Sequence, residues 1–247
     1  MNYTLKNKRA LVTGGSRGIG AAIVKRLATE GADVAFTYTS SPDRAKEVVE
    51  AVQALGVQAL SIQADSAEAS EVVAAVEQTV EKFGGIDILV NNAGIAQMAP
   101  IDEFKLADFD RTFAINVRAV FVATQAAVKH MQEGGRVINI GSTNAERAPF
   151  AGSGVYAMSK SALQGLAQGL ARDLGPRKIT INNVQPGPIA TDMNPPEGEF
   201  AEMLKKQLAI SRYGTVEEVA GMVAYLAGPE AAYITGANLM IDGGFSA

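Results

Sequence analysis

Cysteine and tryptophan are absent from this chain of 247 residues, and histidine occurs once. Without cysteine there are no disulfides, no thiolate nucleophile and no cysteine-ligated metal. A Ser-His-Asp triad or a multi-histidine metal site would both depend on His130, which lies near the end of a predicted helix. We therefore predict no metal site, and any catalysis must come from other side chains.

The chain also lacks long apolar runs and an excess of positive charge. No apolar segment approaches membrane-spanning length, and residues 1–6 have no apolar core like that of a signal peptide. There are 22 basic side chains and 26 acidic ones, a net charge of −4, so no general basic surface favours nucleic acid or anionic membranes. We expect a soluble cytoplasmic protein that acts on a small molecule, without nucleic-acid or membrane partners.

Short apolar or β-branched runs alternate with longer amphipathic stretches along nearly the whole chain. This alternation is typical of an α/β fold in which helices cover both faces of a parallel sheet. Strands are predicted at 9–13, 33–38, 57–63, 86–91, 136–141, 180–185 and 238–241. Helices are predicted at 18–30, 42–55, 67–83, 107–131, 156–174 and 216–227. No linker divides the sequence, so we predict a single doubly wound domain over 1–247, whose ligands bind beyond the carboxyl ends of the strands.

One stretch interrupts this alternation. Pro188, Pro195, Pro196 and Gly198 break the pattern after the sixth strand, before a short helix over 199–208. We interpret residues 188–211 as a substrate lid.

A glycine-rich loop, Thr13-Gly14-Gly15-Ser16-Arg17-Gly18-Ile19-Gly20, follows the first strand and opens into a helix. Glycines allow the backbone to approach a pyrophosphate, and the helix N-terminus offers unpaired amides to that anion. The spacing is Gly-x3-Gly-x-Gly rather than Gly-x-Gly-x-x-Gly. A tight strand-to-helix turn would have similar residues, but the placement favours a nucleotide site. Its predicted contacts are Gly14, Ser16, Arg17, Gly18, Ile19 and Gly20.

The end of the second strand indicates which nucleotide is bound. An enzyme that prefers NAD usually has Asp or Glu there to bind the ribose 2′-hydroxyl. This chain instead has Tyr38, Thr39 and Ser40, while Arg17 and Arg44 are available for a 2′-phosphate. We predict NADPH as the cofactor, with NAD less favoured; the alternative is that both arginines are ordinary solvated side chains.

Two further strand ends contribute to the same predicted edge. Asp65 and Ser66 follow the third strand, and Asp65 can accept from an adenine amino group. Asn92, Ala93 and Gly94 follow the fourth strand and offer small side chains and backbone amides. A simple turn would have a similar composition.

Tyr156 and Lys160 are one helical turn apart on the same face of a predicted helix. A nearby ammonium stabilises a phenolate and lowers a tyrosine pKa from its ordinary value of about 10. Such a pair also occurs on ordinary solvated helices. Ser142, at the end of the fifth strand, places a hydroxyl beside this helix, with Thr143 as the alternative.

Together these motifs resemble the short-chain dehydrogenase/reductase superfamily, which implies a Rossmann-like fold. The resemblance spans essentially the whole chain and includes Asn91-Asn92-Ala93-Gly94, Asn116, the segment Pro186-Gly187-Pro188-Ile189-Ala190-Thr191 and the ending Asp242-Gly243-Gly244. Ser142 lies fourteen residues before Tyr156, one more than is usual among similar members. We expect the intervening loop to bulge.

The resemblance implies a role for each matching residue. Tyr156 is the general acid in carbonyl reduction, Ser142 binds the substrate oxygen, and Lys160 lowers the tyrosine pKa and holds the nicotinamide ribose. Asn116 anchors a water that connects Lys160 to solvent. Tyr156, Lys160, Pro186, Gly187, Ile189 and Thr191 join the cofactor contacts.

Two functions follow from this resemblance. The first is an NADPH-dependent reductase of ketones or of 3-oxoacyl groups carried by acyl-carrier protein. The second is a regulator, because residues 185–195 and 222–230 resemble a bacterial subgroup of cyclic-di-GMP-binding biofilm dispersal mediators. The resemblance also implies a homotetramer that pairs the helices predicted at 107–131 and 156–174 between subunits.

Overall fold

All seven strands lie in one parallel sheet in a computed structural model that describes residues 4–247. The sheet order is β3-β2-β1-β4-β5-β6-β7, and every neighbouring pair is parallel. The strands are Arg9–Val12 (β1), Asp33–Tyr38 (β2), Ala59–Gln63 (β3), Ile88–Asn91 (β4), Arg136–Ile140 (β5), Thr180–Pro186 (β6) and Asn238–Ile241 (β7). The predicted seven-stranded, doubly wound fold is confirmed. Residues 1–3, part of the predicted domain and of the 1–6 segment, lie outside the described residues.

Eight α-helices connect or flank these strands in the described part of the chain. They are Gly18–Thr29 (α1), Pro42–Gln53 (α2), Ala69–Phe83 (α3), Leu106–Phe113 (α4), Ala119–Ala127 (α5), Gly154–Leu174 (α6), Glu199–Lys205 (α7) and Val216–Ala227 (α8). Local signals set several boundaries. Pro42 occupies the first turn of α2, Gly84 ends α3 in the left-handed conformation, and Thr215 and Glu218 form a capping box at α8.

The two faces of the sheet bury separate apolar cores. Successive residues of β1 point to opposite faces, so Val12 packs with α1, α2 and α8 while Leu11 packs with α3, α5 and α6. Both residues are fully buried. This double burial explains why the strands are apolar without alternation.

The prediction of one helix over 107–131 is wrong in detail, because the structure has three elements there. α4 ends at Phe113, Ala114–Arg118 forms a π-helical turn, and α5 begins at Ala119. The apolar periodicity of the sequence does not distinguish a π turn from an α turn. Such turns often occur at functional positions, and Asn116 lies at the centre of this one. Likewise α6 begins at Gly154, two residues before the predicted start.

A row of four asparagine side chains crosses the sheet from β4 to β7. Asn91 donates to Asn139 at 2.9 Å, Asn139 donates to Asn183 at 2.9 Å, and Asn183 donates to Asn238 at 2.7 Å. The same residues are partners in the strand register. Because a slip of one strand would break these buried bonds, the row holds the strand ends at matching levels.

No helix within residues 4–247 is long and apolar enough to cross a membrane.

Candidate active site

A cleft of about 480 Å³ lies along the carboxyl ends of the strands. It begins where the sheet order reverses, between β1 and β4, as expected for a doubly wound sheet. Every predicted cofactor contact lines it: Gly14, Ser16, Arg17, Gly18, Ile19, Gly20, Tyr38, Thr39, Ser40, Asp65, Ser66, Asn92, Ala93, Gly94, Tyr156, Lys160, Pro186, Gly187, Ile189 and Thr191. Ser142 lines it as well, whereas Asn116 lies behind the wall.

Hydrogen bonds from β2 and from the loop after β4 hold the glycine-rich loop in place. Gly14 N donates to Thr37 Oγ1 at 2.9 Å, and Asn92 Nδ2 donates to the carbonyl oxygens of Thr13 and Gly14, each at 2.9 Å. A Cβ atom on Gly20 would lie 2.1 Å from Gly14 O. Only glycine therefore allows this close approach of two backbone segments at the start of α1.

The start of α1 suits an anion. Its N-cap residue, Arg17, makes no side-chain capping hydrogen bond. The backbone N–H groups of the first turn are therefore free of a side-chain cap and can donate to a ligand. The helix dipole adds positive potential there. The loop fits the pyrophosphate of a dinucleotide.

At the other end of the cleft, β5 and α6 bring three functional groups together. Ser142 follows β5 and lines the cleft together with Tyr156, and its side chain acts to lower the pKa of the phenol. Ser142 Oγ also accepts from Asn144 N at 3.1 Å, which starts a short 3₁₀ turn over Thr143–Ala145. Thr143 is buried and does not line the cleft. The geometry thus favours Ser142 over Thr143.

Lys160 is buried beneath these groups. Its Nζ donates to Ile140 O at 2.8 Å and lies 6.0 Å from the centroid of the Tyr156 ring. Burial lowers the pKa of Lys160 to about 8, because the protein replaces water around the ammonium. A Cβ on Gly94 would lie 3.3 Å from this Nζ atom, so the glycine leaves room for the ammonium.

The pKa of Tyr156 differs from the sequence-based expectation. Burial raises it, and the interaction with Ser142 lowers it by less. The sequence predicts a lowered pKa for Tyr156, but desolvation of the phenol outweighs the groups that favour the phenolate, so the net shift is upward. At neutral pH the phenol thus keeps its proton, as a proton donor must.

Asn116 does not reach the cleft with its side chain. Its Oδ1 accepts from Ile95 N at 2.9 Å, and its Nδ2 donates to Ile95 O at 2.9 Å and to Ser159 Oγ at 3.0 Å. The residue is fully buried. Because these bonds occupy the amide, it connects the loop after β4 to α6 and holds the cleft wall.

The arginines predicted for the 2′-phosphate have different surroundings. Arg17 lines the cleft near the end of β2. Arg44, in the first turn of α2, instead forms a 2.7 Å ion pair with Asp192, which lies beyond β6. Sequence reasoning missed this pair, because the residues are 148 positions apart and no local motif connects them.

Other cleft residues also escaped the sequence analysis. Arg111, on α4, lies 3.8 Å from Asp65 and lines the cleft beside the predicted adenine contact. Only the tertiary structure brings α4 next to the loop after β3. The missed lining residues are Ser41, Ile95, Ala96, Arg111, Ile115, Ile140, Gly141, Asp192 and Asn194.

The loop between Ser142 and α6 connects the cleft to the C-terminus. The Arg147 guanidinium lies 4.9 Å from the centroid of the Phe245 ring and also donates to the Phe245 carbonyl. Phe150 contacts Phe200 of α7, with ring centroids 5.5 Å apart. These contacts hold the loop against α7 and the C-terminal segment.

Within residues 4–247 no cluster of three or more His, Cys, Asp or Glu side chains is arranged to hold a metal ion.

Known proteins that match this chain over nearly its full length include short-chain dehydrogenases. The family described as Enoyl-(Acyl carrier protein) reductase matches residues 14–246. A short-chain dehydrogenase/reductase from Serratia marcescens is 64% identical, with a TM-score of 0.98 over 99% of this chain and 100% of the other. A Burkholderia cenocepacia short chain dehydrogenase, solved in complex with NADP, is 55% identical, with a TM-score of 0.97 over 99% and 100% of the two chains.

Another relative is named for the ligand that it binds and not for a reaction. The Escherichia coli cyclic-di-GMP-binding biofilm dispersal mediator protein is 52% identical over 97% of this chain and 98% of its own. All of these matches cover nearly the full length of both proteins, and they agree with the parallel sheet and the cleft described above. The chain belongs to the short-chain dehydrogenase/reductase family.

Proposed function

We propose that this protein is an NADPH-dependent oxidoreductase that reduces a ketone or 3-oxoacyl carbonyl to the secondary alcohol. The observation that carries the proposal is the meeting of Tyr156, Ser142 and Lys160 at one end of a cleft whose other end is the glycine-rich loop. This arrangement suits a reaction that delivers a hydride and a proton to the two atoms of one C=O group.

The side chains have separate tasks in this reaction. NADPH supplies the hydride to the carbonyl carbon. Ser142 and Tyr156 hydrogen-bond the carbonyl oxygen, and Tyr156 donates its proton to that oxygen as the C–H bond forms. The raised pKa of Tyr156 keeps this proton in place until it is needed. The buried ammonium of Lys160 stabilises the phenolate that is left.

The cleft supports NADP rather than NAD. No Asp or Glu stands among Tyr38, Thr39 and Ser40, where a carboxylate would bind a free 2′-hydroxyl. Arg17 lines this end of the cleft and offers a fork of N–H donors to a phosphate. The 55% identical Burkholderia protein was solved with NADP, which agrees with this assignment.

We further propose that residues 1–247 form one domain in which segment 188–211 closes over the substrate. Exposed apolar side chains lie on this segment: Met193, which lines the cleft, and Phe200 are more than half exposed, and Phe150 contacts Phe200. An apolar lid suits a hydrophobic ketone. Arg118 is a basic side chain that could contact an acidic carrier protein, but it already donates to Ala67 O at 2.7 Å, so free ketones are the first substrates to test.

A homotetramer is also proposed. α4, the π turn, α5 and α6 form an outer groove whose apolar lining includes Phe113, Val117, Phe121, Ala162 and Leu166. Phe121 is 45% exposed, and a second copy of this face would cover it. Sedimentation of the wild type and of Phe121→Glu tests the assembly. A tetramer that dissociates in the variant supports the proposal, and a wild-type monomer contradicts it.

The second candidate function is binding of cyclic-di-GMP on the same scaffold, favoured by the name of the 52% identical Escherichia coli protein. Retention of the Tyr156, Ser142 and Lys160 cluster argues for the enzyme. Titration with cyclic-di-GMP by calorimetry, beside turnover assays, separates the two. Tight binding of that ligand without turnover of any carbonyl favours the regulator.

The deciding experiment is a substrate panel. Aryl ketones, β-ketoesters and a 3-oxoacyl thioester are each incubated with NADPH or NADH, and cofactor consumption is followed by absorbance. We expect NADPH-dependent consumption with at least one class and slower consumption with NADH. Absence of carbonyl reduction across the panel, with NADPH bound, would count against the proposed reaction.

A further inference from the structure

The ion pair between Arg44 and Asp192 bridges the mouth of the cleft. Arg44 lies in the first turn of α2, next to the end of β2, and Asp192 lies on the opposite wall beyond β6. Arg44 Nη1 and Asp192 Oδ2 are 2.7 Å apart. The pair therefore joins the wall predicted to read the adenosine ribose to the wall formed by segment 188–211.

Asp192 is carried by a tight turn rather than by a loose loop. Thr191 and Asn194 exchange backbone hydrogen bonds, with Asn194 N donating to Thr191 O at 3.0 Å and Thr191 N donating to Asn194 O at 3.3 Å. Asn194 Nδ2 also donates to Ile189 O at 3.3 Å. The turn lies over the glycine-rich loop, because Thr191 Cγ2 is 3.7 Å from the position of a Cβ on Gly18. The carboxylate is thus presented to the phosphate end of the cleft.

A second arginine acts on the same carboxylate. The hydrogen bond from Arg44 lowers the pKa of Asp192 most, and the charge of Arg17 lowers it further. Asp192 therefore lies in the positive field of both arginines that are available to a 2′-phosphate. The Asp192 carboxylate therefore lies where the 2′-phosphate of NADP is expected.

We propose that Asp192 is a specificity-determining residue that competes with the 2′-phosphate of NADP for Arg44 and Arg17. The inference rests on the proposed use of NADP. A ribose phosphate carries more negative charge than one carboxylate and accepts bidentate bonds from a guanidinium. It displaces Asp192 from Arg44, and the cost of breaking the ion pair reduces NADP affinity. NAD has no such group and leaves the pair in place.

The expected size of this effect is small, because Arg44 and Asp192 are half or more exposed. Exposed ion pairs have modest energies, so Asp192→Asn should tighten NADPH binding about threefold. NADH affinity should stay unchanged. The NADPH difference between wild type and variant should shrink in concentrated salt, because salt screens exposed charges.

The test is a thermodynamic cycle of cofactor dissociation constants, measured by calorimetry without substrate. Wild type, Asp192→Asn, Arg44→Gln and the double variant are each titrated with NADPH and NADH. Arg44→Gln should weaken NADPH binding, and Asp192→Asn should have a smaller effect in that background because its main partner is gone. Glu50→Gln is the matched control: it removes one exposed charge from α2 without lining the cleft.

The outcomes separate the two proposals. Weaker NADPH binding by Asp192→Asn would mean that the carboxylate orients Arg44 for the phosphate, and it would overturn the competition. An equal change for NADPH and NADH, or the same change in Glu50→Gln, would overturn it as well. A wild type that binds neither cofactor would instead contradict the proposed function.

Discussion

Lys160 Nζ donates a hydrogen bond of 2.8 Å to the carbonyl oxygen of Ile140. This bond connects the second turn of α6 to the last residue of β5, which lies two residues before Ser142. It therefore sets the spacing between the helix that carries Tyr156 and the strand that carries Ser142. The same bond directs the ammonium away from solvent, which explains why burial dominates its pKa.

Tyr156→Phe should remove most carbonyl reduction while leaving NADPH binding intact. The substitution deletes only the hydroxyl that donates the proton, and positioned general acids contribute about 10²–10⁴-fold to a rate. Steady-state kcat with the best ketone of the panel and the NADPH dissociation constant are measured together. The control is Tyr233→Phe, which removes a fully exposed hydroxyl. Equal kcat values for wild type and Tyr156→Phe would exclude the phenol from the reaction.

The pH profile of reduction should fall above about pH 8. The pKa of Lys160 is lowered to about 8, so the side chain is an ammonium below this pH and neutral above it. The raised pKa of Tyr156 keeps the phenol protonated over the same interval. Loss of the ammonium thus removes the charge that stabilises the phenolate, and the rate declines on the alkaline side.

The matched variant is Lys160→Arg, because arginine stays protonated throughout this range. Whatever its residual rate, its profile should lack the decline near pH 8. Rates are measured with saturating NADPH at each pH. An identical alkaline decline in wild type and Lys160→Arg would assign it to another group.

Gly20→Ala should abolish NADPH binding and lower the free energy of unfolding. The added Cβ would lie 2.1 Å from Gly14 O and 2.6 Å from Asn92 Nδ2, so the glycine-rich loop must move. Overpacking of this kind costs about 1–3 kcal/mol. Thermal unfolding and calorimetric titration with NADPH measure the two effects.

The control for this variant is Gly221→Ala on α8, where the new Cβ meets only Arg26 Nη1 within 4 Å, at 3.5 Å. Replacing a helical glycine by alanine in open space gains about 0.5–1 kcal/mol, so this variant should be slightly more stable and bind NADPH normally. Full NADPH binding by Gly20→Ala would show that the loop does not carry the pyrophosphate.

Phe200→Ala should lower kcat/KM for bulky aryl ketones more than for small ones. Phe200 lies on the segment proposed to close over the substrate, and an aromatic contact with a substrate ring is worth about 0.5–1.5 kcal/mol beyond its buried area, roughly a two- to tenfold change. The control is Leu55→Ala, an exposed apolar side chain outside segment 188–211. A uniform loss across all ketones would indicate damage to segment 188–211 rather than to substrate contacts.

The sequence alone predicted the architecture and which residues line the glycine-rich end of the cleft. The parallel sheet, the glycine-rich loop and the residues after β2, β3 and β4 follow from local patterns, because strand ends in a doubly wound sheet share one edge. The prediction of one helix over 107–131 was wrong because a single π turn interrupts the apolar pattern too briefly to be recognised in the sequence. The structure placed Asn116 behind the cleft wall for a related reason: its partners, Ile95 and Ser159, are distant in sequence.

The composition and the order of motifs determined the family, the absence of cysteine chemistry and the presence of a phenol and an ammonium one helical turn apart. Tertiary structure alone decided the direction of the pKa shifts of these two groups and the pairing of Arg44 with Asp192. Motifs are local, and the residues that form them are neighbours in the chain. Desolvation and long-range ion pairs depend on which distant segments are folded against a side chain, so they exist only once the chain is folded.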